Sequence, residues 1–303
     1  MAIVTTDNQH YTDIAAAIRS KNGTETQYKP SEMAAAIQAI SGGGEPEPPD
    51  DGKTRLYITV PANAMPDRPP PWNQVPLYIQ QTVANGVTID WGDGTAPETL
   101  PGTSYVNTTH TYEQAGDYVI SLEPMDGCEL GFGKYNTHNI LGTVLTKGRI
   151  YSNMLKKVYI GKGVFKISGY AFAFCECLEK CAMNNLITNI GKQSFYNCTS
   201  LKSLPIPNSV KIIDPQALNS CKYLVTLMLP NSIEEIKDAA FSYASNMKEY
   251  HFLSVTPPII SSSNIFGDII PDCVIYVPKG SAEAYKTATN WTTVADKIQE
   301  EPA

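Results

Sequence analysis

An internal period of 23 residues constrains this chain more than any other feature. Ile167, Ile190, Ile213 and Ile236 stand 23 residues apart, and so do Phe172, Phe195, Leu218 and Phe241. Cys175, Cys198, Cys221 and Ala244 keep the same step, as do Leu155, Leu178, Leu201, Leu224 and Met247. A short unit cannot bury its apolar face alone, so units repeating at fixed spacing must stack as a solenoid around one shared core. In Leu201-x-x-Leu204-x-Ile206 and Leu224-x-x-Leu227-x-Leu229, alternate apolar residues point inward from one short strand per coil. The unit before Ile167 keeps Leu155, Val158 and Ile160 but carries Arg149 and Ser152 where the aromatic and the cysteine fall. It is expected to form the N-terminal edge coil.

The full unit, from Ile190 through Phe195, Cys198 and Leu201 to Val210, resembles the BspA-type leucine-rich repeat. The tail also resembles that family's ending, with a last strand from Val274 to Pro278, a helix from Ser281 to Thr287 with Tyr285, then Trp291 and Ile298. The resemblance implies a leucine-rich-repeat solenoid over residues 127–273 and a C-terminal cap over 274–303.

Upstream the pattern differs. Residues 1–40 hold two amphipathic helical stripes, Tyr11, Ile14, Ala15, Ile18 and Met33, Ala36, Ile37, Ile40, separated by Asn22-Gly23 and reopened at Pro30-Ser31. An αα-hairpin of this size buries too little surface to stand alone, so it reads as an anchor or assembly segment. Residues 41–54 are a Gly/Pro-rich acidic linker. Residues 55–126 alternate like strands, at 56–60, 75–79, 87–91 and 118–122. Trp91-Gly-Asp-Gly-Thr95 is expected to turn through positive φ at Asp93-Gly94, and His110-Thr-Tyr112 reads as the turn before a closing strand. These two stretches resemble the signatures of PKD-like domains, which implies an immunoglobulin-like β-sandwich. The expected fold class is therefore multidomain and mostly β: an αα-hairpin, a PKD-like sandwich and a leucine-rich-repeat solenoid.

The segment from Tyr11 to Met33 resembles the start of phage and prophage tail-associated structural proteins. With a sandwich spacer and a repeat tip, the resemblance implies a non-enzymatic bacteriophage virion protein of tail-fibre or receptor-binding type, assembled in the host cytoplasm. Tyr11, Ile14, Ile18, Met33, Ile37 and Ile40 would pack against other virion proteins, and the repeats would bind a host cell-surface protein or glycan. A homo-oligomer, with a trimer by analogy to fibres, follows the same reading. The alternatives are a head or tail decoration protein and a bacterial cell-surface leucine-rich-repeat adhesin.

Composition narrows the function. Net charge is −7, with 2 Lys+Arg against 7 Asp+Glu in residues 55–125 and 17 against 15 in 126–303, so no dense basic footprint for nucleic acid is present. No apolar run approaches a membrane span, and no export signal opens the sequence. The seven cysteines are expected as reduced thiols. Cys175, Cys177 and Cys181 have a metal-like spacing, but Cys175 and Cys181 fall on inward phases, so no metal is assigned. Asp90 and Asp93 could offer oxygens to calcium, yet turn geometry accounts for Asp93. His10, His110, His138 and His251 lie in different segments and assemble no catalytic set, and no cofactor is expected. Strand alternation instead marks an exposed face. One column runs through Lys157, Lys180, Ser203, Thr226 and Glu249, the other through Tyr159, Ala182, Pro205, Met228 and His251. The lysines at its early end would attract an anionic partner.

Overall fold

The computed structural model describes residues 48, 51–62, 72–134, 136–143 and 151–302. The hairpin expected over 1–40 and most of the linker lie outside the described residues. Among the described residues no helix is long and apolar enough to cross a membrane.

Seven strands form the first half: β1 Thr54–Val60, β2 Gln74–Gln81, β3 Val87–Asp90, β4 Glu98–Thr99, β5 Ser104–Thr111, β6 Gly116–Pro124 and β7 Leu130–Phe132. Alternation is strict in β1 and β2, where Leu56, Ile58, Val60, Val75, Leu77 and Ile79 are buried and their neighbours are not. One sheet contains β1, β6, β3 and β4 in that order, and the other runs β5-β2-β7. Their inward rows share one core. Two local expectations are corrected. Positive φ falls on Gly92 (76°) and Gly94 (86°) rather than on Asp93. A Cβ at Gly92 would lie 2.4 Å from the Val119 carbonyl oxygen, which excludes every other residue there. His110 lies in β5, paired with Val75, not in a turn, because residues 104–111 alternate along the edge of β2.

Two short elements, β8 His138–Asn139 and β9 Gly142–Thr143, lead into the repeats. Coil strands follow as β10 Leu155–Tyr159, β11 Lys180–Ala182, β12 Asn189–Ile190, β13 Ile212–Ile213, β14 Thr226–Leu229, β15 Glu235–Ile236, β16 Glu249–Phe252, β17 Ile259–Ile260 and β18 Val274–Val277. They stack in parallel as β12-β13-β15-β17 on one wall and β14-β16-β18 on another. All the isoleucine, aromatic and leucine positions of the 23-residue ladder are buried, as are Cys175, Cys198 and Cys221. The remaining wall is a run of turns. Phe172, Phe195 and Leu218 each donate their amide to the next coil, while Ala173, Tyr196 and Asn219 donate back three residues. This alternation needs positive φ at fixed phases, carried by Tyr170, Gln193, Gln216 and Ala239 and by Phe174, Asn197, Ser220 and Tyr243. None of the eight is glycine.

The two halves are joined by a continuous sheet. β1 pairs antiparallel with β6 on one edge and with β10 on the other, and β10 pairs in parallel with β11. Leu56 thus stands opposite both Ile120 and Val158, and the inward row passes from one core to the other. At the seam the Gly161 amide donates to Thr54 Oγ1 (2.9 Å), and the Lys162 amide donates to the Gly52 carbonyl (2.8 Å). β7, which falls in the 127–273 segment assigned from sequence to the solenoid, instead pairs with β2. Its Phe132 packs on Phe172 (5.6 Å between ring centres), which in turn stacks on Phe195 (5.3 Å). Phe132 supplies the edge coil with the aromatic that its own sequence lacks. Ser152, on the cysteine phase, is buried and bonded to Asn139 Nδ2 (2.6 Å).

At the far end, helix α1 Ala282–Thr287 and strand β19 Ile298–Glu300 close the stack, with β19 parallel to β18. Three side chains satisfy carbonyls of the last coil: Tyr285 Oη on Ser254 (2.8 Å), Trp291 Nε1 on Pro258 (3.0 Å) and Asn290 Nδ2 on Ile260 (2.8 Å). A solenoid end would otherwise leave these acceptors and the apolar core open to water.

Candidate ligand-binding face

The outward columns form in two blocks. In the first, Lys157 pairs with Lys180 and Tyr159 with Ala182, and Lys180 reaches Ser203 through a single bridge. In the second, Thr226 pairs with Glu249 and Met228 with His251. Pro205, expected in the second column, lies in no strand. Pro205 and Pro207 lack the amide that a ladder requires, so regular pairing stops at Ser203 and resumes at Thr226. The face is therefore interrupted rather than a single sheet.

Each block extends beyond the residues read from sequence. β1 sets Tyr57 beside Lys157 and Arg55 beside Tyr159. Tyr57 meets Tyr159 edge to face at 5.5 Å, and Lys180 Nζ lies 5.2 Å over the Tyr159 ring. At the other end, Tyr276 of β18 follows His251, and Gln299 of β19 follows Tyr276. The His251 ring stacks on Tyr276 at 4.9 Å, with Nδ1 2.7 Å from Glu301 Oε1 and Nε2 3.3 Å from Glu249 Oε2. Burial disfavours charge on this ring, but the two carboxylates outweigh it and raise its pKa. Alternation in Val274-Ile-Tyr-Val277 could have revealed Tyr276; the step from His251 is 25 residues rather than 23, which hides it from the period. Tyr57 carried no sequence signal, because the partner of β1 is about 100 residues away. Tyr11, Ile14, Ile18, Met33, Ile37 and Ile40 lie outside the described residues.

Other sequence candidates serve the fold. Asp93 Oδ1 accepts from the Thr95 amide and hydroxyl, and Oδ2 lies 2.7 Å from His110 Nε2. Burial raises the Asp93 pKa, but these Thr95 and His110 bonds prevail and hold it near 2. Asp90 Oδ1 accepts from the Gly92 amide (2.9 Å). The His110 ring stacks on Trp91 at 4.7 Å, and Tyr112 Oη donates to the Trp91 carbonyl (2.9 Å), so both sequence signatures meet in one clamp. Cys198 Sγ donates to the Phe172 carbonyl and Cys221 Sγ to the Phe195 carbonyl, tying successive coils. Burial pushes the Cys221 thiol to about 12 and Cys198 well above its usual value, so neither is a reactive thiolate near neutral pH. Cys177 is half-buried, and among the described residues no group of three potential ligands converges on a metal position.

A comparison with curated protein sequences finds no match. Solved structures similar to parts of the chain include the pneumococcal vaccine antigen PcpA, 22% identical over 48% of this chain and 34% of that one, with a TM-score of 0.39. A leucine-rich repeat protein from Bacteroides ovatus is 18% identical over 55% of this chain and 45% of its own (TM-score 0.37). One from T. pallidum is 18% identical over 58% and 91% (TM-score 0.32). The chain thus spans 34% and 45% of the length of the first two. Residues 146–267 match the family model of the BspA-type leucine-rich repeat region, in six copies.

Proposed function

We propose that the protein is a non-enzymatic adhesin that holds a host or cell-surface ligand on the outward strands of its repeats. The observation that carries this reading is the in-register column of Met228, His251 and Tyr276 beside Thr226 and Glu249. A solenoid buries its ladder inward and offers its sheet face to partners. The non-enzymatic reading is supported by the inward ladder, which among the described residues is made mainly of apolar side chains and deeply buried thiols. Upstream, we read residues 54–132 as a PKD-like, immunoglobulin-like sandwich, supported by the Trp91–His110–Tyr112 clamp between its two signatures. A bacterial cell-surface adhesin is the setting that BspA-type repeats favour. The tail-fibre setting, with virion proteins bound through residues 1–40, is supported by the Tyr11-to-Met33 resemblance alone.

The test is binding of the labelled full chain to a panel of intact bacterial cells. Replacing Met228 and Tyr276 with Ala should weaken binding at least tenfold while circular dichroism and melting stay close to the parent. Undiminished binding by that variant would refute the face as the ligand surface.

A further inference from the structure

The outer side of the β5-β2-β7 sheet bears a feature that the repeat face does not explain. The chain leaves β7 at Gly133, whose amide donates to the Tyr78 carbonyl (2.8 Å) and whose φ is 65°. A Cβ there would lie 2.5 Å from the His138 carbonyl oxygen, so only glycine lets the next turn fold back over the sheet. Lys134 and His138 close that turn through two backbone hydrogen bonds, 2.7 and 2.9 Å. The turn lays the His138 ring on Tyr78, 4.2 Å apart and nearly parallel. A cavity of about 140 Å³ opens beside them, walled also by Tyr105, Asn107 and Lys134. Tyr105 is 44% exposed, and Lys134 Nζ lies 5.6 Å over its ring.

We propose that this cavity binds one acidic sugar residue, a uronic-acid unit either free or at the end of a glycan. Two tyrosine rings offer flat apolar surface to a sugar's C–H groups, and Lys134 offers a charge to its carboxylate. Asn107 and His138 offer hydrogen bonds to hydroxyls. Burial and the Lys134 charge lower the His138 pKa, so the ring is neutral near pH 7 and can both donate and accept.

Ligand-observed NMR on the full chain tests the site, with D-glucuronate as the probe and D-glucose and acetate as controls. Glucuronate should bind, glucose at least tenfold more weakly, and acetate not at all. Tyr105→Ala, at an exposed position that leaves the fold intact, should abolish saturation transfer to glucuronate. Lys134→Gln should reduce glucuronate binding to the level of glucose. No transfer to any sugar, acetate binding as strongly as glucuronate, or Tyr105→Ala binding like the parent would each overturn the proposal. These outcomes are independent of the repeat face, whose Met228 and Tyr276 variants should bind glucuronate unchanged.

Discussion

Leu56→Ala tests the joint between the two halves most directly. Leu56 is fully buried, opposite Ile120 of β6 on one side and Val158 of β10 on the other. Truncating a buried leucine costs about 2–5 kcal/mol through lost transfer free energy and the cavity left behind. For a cooperative unit of this size, each kcal/mol lowers the melting temperature by roughly 2–4 °C. A drop of about 4–20 °C is therefore expected. The informative measurement is amide hydrogen exchange followed strand by strand. If β1 staples the first half to the first coil, protection should fall together in β6, β10 and β11, by about a hundredfold for a loss near 3 kcal/mol. Were the halves separate modules, only β6 and its neighbours would respond. Parental protection in β10 and β11 of a folded Leu56→Ala variant would refute the shared-core reasoning. The same geometry predicts that fragments 1–127 and 128–303 do not fold independently, since that cut removes β1 from β10 and β2 from β7.

Two further outcomes follow from the repeats. Phe195→Ala removes the ring stacked on Phe172 and should cost about 3–5 kcal/mol in chemical denaturation, whereas a near-neutral result would contradict the phase assignment. The His251 cluster gives a pH dependence: its raised folded pKa means the stabilisation is fully present below the unfolded value of about 6.5 and is lost as pH rises through the higher folded value. Melting of the parent should therefore weaken on raising pH through that window relative to Glu301→Gln, and identical profiles for the two proteins would remove the carboxylate's role.

Phase was legible wherever the cause was local. The ladder of Ile167, Ile190, Ile213 and Ile236 reports which side chains point inward, because a parallel stack forces equivalent residues into equivalent positions. Cys175 and Cys181 were read correctly as inward residues for the same reason. Departures came where a position's role depends on a distant partner. Pro205 satisfies the spacing but cannot donate to a ladder, so the face breaks there. His110 looked like turn sequence and became strand because β2 offered it an edge. The eight positive-φ positions on the turn wall hold ordinary residues such as Phe174 and Gln216, whose backbone is dictated by hydrogen bonds to the next coil rather than by glycine.

What the sequence determined by itself was the repeat: its period and its inward rows, since these follow from strand alternation and stacking alone, whereas the outward columns from Lys157 to His251 break at Pro205. Only the tertiary structure decided how the stack is ended. Phe132 packs its ring on Phe172, β1 pairs with β10, and Tyr285, Asn290 and Trp291 cover the last carbonyls. The physical reason is that interior coils are satisfied by copies of themselves, which a period announces. End coils need partners unlike themselves, and any segment that presents an apolar side chain or a donor at the right distance can serve.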